Sequence, residues 1–238
     1  KKKPIIYLRS DGYGEYRAIF GYIGPIIYHL MFSILSKISS LISCREYILK
    51  NQTGDIVAPS QITTQWLKNY KEAQTHSIKL LYVGRIKKEK GIYSLLEIIK
   101  NNKTNFSLSI VGAEKNSTNL IVQENVYIHE VENNEQNLIK LYDDHSIFVL
   151  PSYTEGHPMA LLEALARLRP VIIFKDIEHV IGDKKGIFIA KRNSESFFKT
   201  INHIKENYNN IQQEMKKNKL PTKDEFLKKF SKLISELD

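Results

Sequence analysis

From Ile78 onward, short apolar runs alternate with polar or helix-length segments. The runs fall at 78–83, 106–111, 125–129, 146–150, 170–174 and 186–190. Strands alternating with segments of that length predict βαβ units and a parallel, doubly wound sheet, an α/β fold. The tail predicts two helices, one from Ser194 and one opened by a capping box, Thr222-Lys223-Asp224-Glu225.

The first part of the chain is less regular. Pro4–Leu8 reads as a strand, followed by a polar, Gly-rich loop from Arg9 to Arg17. A long apolar stretch then runs from Ile19 to Ile42, broken by Gly21, Gly24 and Pro25. It has the length of a membrane span, but its Ser, His and Lys residues give it a polar side. An amphipathic helix starting near Pro25 and packing on a sheet is the preferred reading, ahead of a lipid-touching face and well ahead of a true span. Asp55–Ala58 reads as a short strand, and Ser60 as the cap of a helix through Trp66 and Leu67. The polar stretch Asn69 to Ser77 reads as a linker. Two domains are therefore expected, 1–75 and 76–238, with the final helix crossing back to the first.

Composition narrows the class without fixing it. At 238 residues, 42% hydrophobic and 26% charged, the chain is ordinary for a globular protein with a real core. The lone cysteine, Cys44, excludes an internal disulfide and, beside Leu41 and Ile42, reads as a buried structural thiol. The formal net charge of +9 comes from lysines spread along the chain. No basic cluster is interleaved with aromatics, so a general lysine bias is preferred to a nucleic-acid partner. The opening Lys1-Lys2-Lys3-Pro4 has no signal-peptide character, and without an initiator Met the chain is expected to be cut from a longer protein.

The chemistry concentrates in two loops. Tyr153-Thr154-Glu155-Gly156-His157-Pro158-Met159-Ala160-Leu161-Leu162-Glu163 follows the apolar strand ending at Leu150. Pro suits the first helical position, which puts Glu155 on a strand-to-helix loop and Glu163 inside the helix, roughly 7–8 Å along its axis. Between them, the unpaired N–H groups of a helix start form an anion cradle. A carboxylate on either side of such a cradle suits a ligand with hydroxyls at both ends and anions in the middle, the shape of a nucleoside diphosphate sugar. The plainer alternative is a capped helix with two solvated glutamates. The second loop, Gly84-Arg85-Ile86-Lys87-Lys88-Glu89-Lys90-Gly91, leaves the first strand of the same domain. Gly84 leaves room for close backbone approach, Arg85 is able to grip an oxyanion with two hydrogen bonds, and Lys90 adds a point charge.

Together these loops resemble the retaining, nucleotide-sugar-dependent glycosyltransferases of family four (glycosyl transferases group 1), which have the GT-B fold of two Rossmann-like domains. The family pattern is Gly-Arg, a few residues, Lys-Gly, then about seventy residues later Glu-Gly-x-Pro-x4-Glu and a Pro-Val strand, here Arg169-Pro170-Val171. The resemblance covers residues 78 to about 215 well and 4–75 loosely. It implies a hexosyltransferase that moves sugar from a nucleotide donor to a glycan or lipid-linked acceptor in surface polysaccharide synthesis, retaining anomeric configuration without a metal or other cofactor. In that reading Arg85 and Lys90 neutralise the diphosphate, Glu163 holds the ribose hydroxyls and Glu155 faces the transferred sugar. Gly84, Gly156, His157, Pro158 and Met159 line the donor, and the base rests near Ile128 and Glu130. The implied location is cytoplasmic, at or near the inner membrane face.

Departures temper the match. The family's small residue and Gly before the Pro-Val strand are Arg167 and Leu168, and its glycine after Ile128-His129 is Glu130. A catalytic-site His of the first domain is absent, leaving Asp11 as its stand-in on the acceptor side. His157 is open to either a phosphate contact or a packing role. Asp143-Asp144-His145 resembles metal-ligand material but reads as a solvated connection. Three rivals stand beside the enzyme: a non-catalytic nucleotide-sugar-binding subunit of a split transferase, a basic nucleic-acid-binding protein, and a nucleotide-sugar epimerase.

Overall fold

The computed structural model describes residues 3–73, 75–100, 105–113 and 123–237. The chain divides into two compact units, Lys1–Thr63 with Thr154–Pro158 and Pro221–Asp238, and Thr64–Tyr153 with Met159–Leu220. Residues 64–73, expected with the first domain, thus group with the second.

The first unit is a parallel three-stranded sheet. Strand β1 (Ile5–Leu8) leads through α1 (Gly12–Phe20) and α2 (Gly24–Ile38) to β2 (Ser40–Ser43), which pairs with β1 and with β3 (Asp55–Ile56). Asp11 opens α1 by accepting a hydrogen bond from the Tyr13 N–H. Pro25 lies in the first turn of α2, where its missing donor costs nothing. The apolar stretch expected as one helix therefore splits. Ser39 adopts an extended conformation at the helix end, and the last residues become the central strand. Tyr28 and Phe32 of α2 pack with Leu41 and Leu49. Cys44 is buried, donates to the Arg9 carbonyl at 3.3 Å, and has its pKa raised by burial, as a structural thiol should.

No helix begins at Ser60. The segment has no regular secondary structure as far as a turn at 64–67. The β-branched run Ile62-Thr63-Thr64 resists helix, and the Ser60 hydroxyl is engaged instead by the Pro221 carbonyl at 2.6 Å and the Ile62 N–H at 3.1 Å.

The second unit is a six-stranded sheet. Its strands are β4 (Ile78–Val83), β5 (Phe106–Ala113), β6 (Val126–Glu130), β7 (Ile147–Leu150), β8 (Val171–Phe174) and β9 (Ile187–Ala190). All adjacent pairs are parallel, in the order β6-β5-β4-β7-β8-β9. The helices are α3 (Ile92–Ile99), α4 (Glu135–Asp143), α5 (Met159–Ala166), α6 (Ser194–Glu206) and α7 (Tyr208–Met215). Strands β7 and β8 are wholly buried, which is why they read as continuous apolar runs rather than alternating ones. Edge strand β6 is largely exposed. The order reverses between β4 and β7, and at such a switch point the carboxyl ends of neighbouring strands diverge to leave a ligand crevice.

The capping box predicted at Thr222 is formed. The Thr222 N–H donates to Glu225 Oε2 at 2.8 Å and the Glu225 N–H to Thr222 Oγ1 at 3.2 Å, opening α8 (Lys223–Leu237). Phe230 of α8 meets the Tyr7 ring at 5.3 Å, so the final helix packs on the first unit, as expected.

Candidate active site

Both loops leave the two strands that flank the switch point, which are direct neighbours (Leu80 opposite Ile147, Leu81 opposite Phe148). At the end of β4, Tyr82 Oη donates to the Arg85 carbonyl at 2.8 Å. A Cβ at Gly84 would lie 2.9 Å from that hydroxyl, so Gly84 leaves room for the bridge that fixes the Arg85 backbone while the Arg85 side chain stays exposed. A 3-10 turn, Lys88–Lys90, follows. Gly91 then takes a left-handed conformation, φ 68°, and a Cβ there would sit 1.9 Å from the Pro151 carbonyl oxygen. Only glycine allows the turn and that approach together. The Tyr153 N–H donates to the Glu89 carbonyl at 3.0 Å, so the two motif loops are joined backbone to backbone, with half-buried Lys90 next to the joint.

An arginine that belongs to no motif holds this arrangement. Arg192, just after β9, donates to the carbonyls of Pro151 at 2.9 Å and Ser152 at 3.3 Å, and to Asp176 Oδ2 at 2.6 Å. Its guanidinium lies 4.0 Å from the Tyr153 ring centroid and 4.4 Å from that of Phe174. Lys175-Asp176 carries no motif, and a lone Arg ahead of a helix offers no signal, so only the fold reveals this clamp.

In α5, Leu161 to Ala166 are all buried, Glu163 included at 9% exposure. Glu163 Oε2 accepts from Tyr142 Oη at 2.9 Å, and that hydroxyl also lies 3.2 Å from the Ala160 carbonyl. Burial raises the Glu163 pKa, with the Tyr142 hydrogen bond pulling the other way. Burial, reinforced by the Glu163 charge, pushes Tyr142 well up. Glu163 is thus a positioned carboxylate at the switch point, whereas solvated glutamates were the alternative.

Thr154–Pro158 belong to the first unit. A Cβ at Gly156 would come within 2.7 Å of the Arg9 carbonyl oxygen, so glycine is required where this loop crosses the end of β1. The Glu155 carbonyl accepts from the Tyr47 hydroxyl at 3.4 Å, leaving a half-buried carboxylate on a held backbone. His157 Nε2 lies 2.8 Å from the Pro59 carbonyl and therefore carries the proton it donates. That bond anchors the ring to the Pro59 backbone through Nε2. Pro158 is buried, and Met159 begins α5. Asp11, besides capping α1, lies 3.6 Å from Lys50 Nζ and lines an open cleft with Tyr13, Gly14, Arg17 and Pro25.

At the end of β6, Ile128 is half-buried and does not line the neighbouring open cleft of about 550 Å³, whereas exposed Glu130 does, with Val111, His129, Asn137 and Lys140. The Asp143-Asp144-His145 run, expected as a solvated connection, is solvated only at Asp144, since Asp143 is 11% exposed and His145 is largely buried. Asp143 binds Arg167, Asp144 binds Lys71, and among the described residues no three His, Cys, Asp or Glu side chains gather.

His145 is fastened at both ring nitrogens, Nδ1 to the Leu141 carbonyl at 2.6 Å and Nε2 to Ser109 Oγ at 2.8 Å. Burial lowers its pKa first, and Lys79 and His129 add to the fall, against the Leu141 bond and Asp144. Below the ordinary imidazole value of ~6.5 the unfolded chain therefore binds more protons here than the folded one, and stability rises with pH through that window. Thermal unfolding followed from pH 7.5 down to pH 5 should show a falling melting temperature, with a shallower fall in His145→Gln. Equal slopes would remove His145 as the cause.

The chain belongs to the glycosyl transferases group 1 family, whose profile matches residues 63–220, and its parallel α/β units are part of the GT-B domain pair. It is 30% identical over 123 residues to the teichuronic acid biosynthesis glycosyltransferase (so named provisionally) TuaC of Bacillus subtilis strain 168, covering 51% of this chain and 31% of that protein. It is 29% identical over 148 residues to the capsular polysaccharide biosynthesis glycosyltransferase CapM of Staphylococcus aureus, covering 51% of this chain and 38% of that one. Among solved structures, HepE of Anabaena in complex with UDP-glucose superposes with a TM-score of 0.75 at 11% identity, over 98% of this chain and 72% of that one. The chain thus matches about a third of the length of the two curated relatives.

Proposed function

We propose that this chain is the donor-binding part of a retaining glycosyltransferase, moving a hexose from a nucleoside diphosphate sugar to a glycan or lipid-linked acceptor in surface polysaccharide synthesis. The observation that carries this reading is the buried Glu163, held by Tyr142 at 2.9 Å, on the helix that follows one of the two switch-point strands. The other strand delivers Gly84 and Arg85, and the loops of both are bonded through Tyr153 and Glu89. The names of TuaC and CapM support the polymer class, and the UDP-glucose of HepE supports the donor class.

Each group has a chemical task in this reading. Glu163 accepts hydrogen bonds from the ribose hydroxyls. Arg85 and Lys90 stabilise the charge that develops on the departing diphosphate, in place of a metal ion, and preorganised cations lower the barrier most where charge appears in the transition state. The amides of Gly156, His157 and Met159 contact sugar and phosphate, while Pro158 sets the turn. Glu155 faces the transferred sugar, Ile128 and Glu130 flank the base, and Asp11 lies on the acceptor side. The acceptor hydroxyl attacks the face the diphosphate leaves, and the leaving phosphate takes its proton, so configuration is kept. The enzyme works in the cytoplasm, against the inner face of the membrane. Calorimetric titration with UDP, GDP and their sugars tests this. Saturable binding of one series is expected, and no heat from any of them would overturn it.

Arg192 positions the loop rather than touching substrate. Arg192→Ala should lower kcat/KM roughly 10- to 100-fold, since small misplacements of a site cost that much. Arg192→Lys should recover little, because an ammonium lacks the planar fork and the stacking face. If KM for the donor rises while an intact far-ultraviolet spectrum shows the fold retained, the clamp is confirmed. Wild-type kinetics in Arg192→Ala would dismiss it.

A further inference from the structure

Helix α4 is braced by a side chain from outside it. Glu135, in its first turn, accepts from the Trp66 indole N–H through Oε1 at 3.0 Å. Tyr142 follows two turns later on the same helix, on the same face. The Trp66 ring stands edge-on to the Tyr142 ring, with 5.5 Å between centroids and 69° between planes. Phe148 of β7 meets the Tyr142 ring at 5.6 Å. Trp66 is fixed at its backbone too, since its carbonyl accepts from Arg167 Nη1 at 2.9 Å. It is 3% exposed, and Tyr142 is wholly buried. A tyrosine has two side-chain torsions, and two ring contacts with a bonded hydroxyl leave it one orientation.

That orientation aims the hydroxyl at Glu163. Among the described residues, Tyr142 is the hydrogen-bond partner of this carboxylate, at 2.9 Å from Oε2. The ionised acceptor makes this the stronger of the two bonds open to the hydroxyl, the Ala160 carbonyl being 3.2 Å away. One bond occupies one of about four lone-pair sites on a carboxylate, so the remaining sites are left for ligand hydroxyls. A free glutamate loses much rotamer freedom when it is fixed. Here that loss falls on folding rather than on binding, which is how preorganisation raises affinity. Packing alone does not require these groups. A phenylalanine against a leucine would fill similar space with no carboxylate to desolvate, and such apolar exchanges are often neutral or stabilising. The polar chain from Glu135 through Trp66 and Tyr142 to Glu163 therefore answers to a ligand rather than to the core.

We infer that Trp66 and Tyr142 are positioning residues for donor recognition: braced by Glu135, Trp66 fixes the Tyr142 ring, and the Tyr142 hydroxyl orients Glu163 toward the ribose hydroxyls. The inference rests on the donor reading above and names what makes Glu163 selective for ribose. It also gives a share in the donor site to the segment through which the chain enters the second unit, which begins at Thr64.

Titration calorimetry with UDP and GDP, each beside its 2′,3′-dideoxy counterpart, tests it. Tyr142→Phe keeps the ring and removes the hydroxyl. Its affinity for the ribonucleotide should fall roughly tenfold or more, the scale on which small misplacements are felt. Its affinity for the dideoxy counterpart, which offers Glu163 no hydroxyl, should stay at the wild-type value. A general loss of structure would weaken both alike. Trp66 is the only tryptophan of this chain, so its emission reports on the brace. Glu135→Ala frees the indole N–H, and should shift that emission and narrow the preference for ribonucleotide over dideoxynucleotide several-fold. Glu135→Gln, whose amide oxygen still accepts, should recover most of the preference. A Tyr142→Phe protein that binds the ribonucleotide like wild type, or loses both ligands in equal measure, overturns the inference. If that variant does not fold, Glu135→Ala decides alone, and an unchanged preference overturns it in the same way. A wild type that binds none of these nucleotides removes the donor reading and the inference together, whereas binding that ignores both variants removes the inference only.

Discussion

Replacing Glu163 with alanine should weaken nucleoside diphosphate binding roughly 10- to 100-fold while leaving the melting temperature almost unchanged. The binding loss follows from removing a charged acceptor, since hydrogen bonds to charged groups contribute about 1.5–3 kcal/mol. The near-neutral stability follows from burial. Glu163 is held above the ordinary carboxylate range because desolvation outweighs the Tyr142 bond. With a raised folded pKa, the folded chain holds this proton more tightly than the unfolded one, so above that value the ionised group costs stability. Its removal offsets the loss of one acceptor for Tyr142, whose hydroxyl retains the Ala160 carbonyl at 3.2 Å. Glu163→Gln should therefore melt at or above wild type at neutral pH, with the difference vanishing in acid. Binding carries a matching signature. Acidification protonates Glu163 before exposed carboxylates, so affinity for the donor should fall earlier than their titration predicts, and the glutamine variant should lose that pH dependence. Calorimetry and thermal melts on the two variants decide it. Undiminished nucleotide binding in Glu163→Ala, or binding lost only together with the fold, would defeat the ribose role.

How far the sequence carries depends on whether the signal is local. The strands of the second unit were legible because a buried parallel strand must be apolar at every position, as in Ile147–Leu150. The two motif loops were legible for the same reason in reverse: Gly91 and Gly156 are held by close backbone approaches that no other residue fits. The strand Ser40–Ser43 was hidden, since its apolar residues continue those of α2 and only the extended Ser39 separates them. Ser60 gave a false cap because its hydroxyl is taken by Pro221, 161 residues away. Arg192 was invisible for a like reason. Its worth lies in carbonyls about forty residues off, and carbonyls are the one partner every residue offers, so no side-chain pattern announces them.

Arg167 belongs to the same class of long-range device, and its loss should be the most damaging single change to the fold. Where the family resemblance expects a small residue, this chain buries a guanidinium to 1% exposure. Nε and Nη2 reach the Asp143 carboxylate at 2.9 and 2.8 Å, while Nη1 and Nη2 donate to the carbonyls of Trp66, Lys68 and Asn69 at 2.8 to 3.0 Å. Arg169 runs parallel to it, donating to the carbonyls of Tyr142, Lys71 and Asp143. Together they tie residues 66–71 to the second unit, which explains why a polar stretch that reads as a linker groups with that unit. Arg167→Ala strands the Asp143 carboxylate, itself 11% exposed, and opens a cavity behind α5. Breaking a buried pair from one side costs about 3–5 kcal/mol. At roughly 2–4 °C per kcal/mol for a domain of this size, the melting temperature should fall by about 6–20 °C. Arg167→Lys should rescue only a minor part, because one ammonium cannot serve a carboxylate and three carbonyls at these angles. Arg167→Met with Asp143→Asn should be milder than the two single changes summed, since the pair is coupled and its joint removal leaves no stranded charge. Thermal melts of wild type and these variants measure all of this, and a loss below about 1 kcal/mol in Arg167→Ala, the worth of an exposed ion pair, would show that the cluster does not hold the segment.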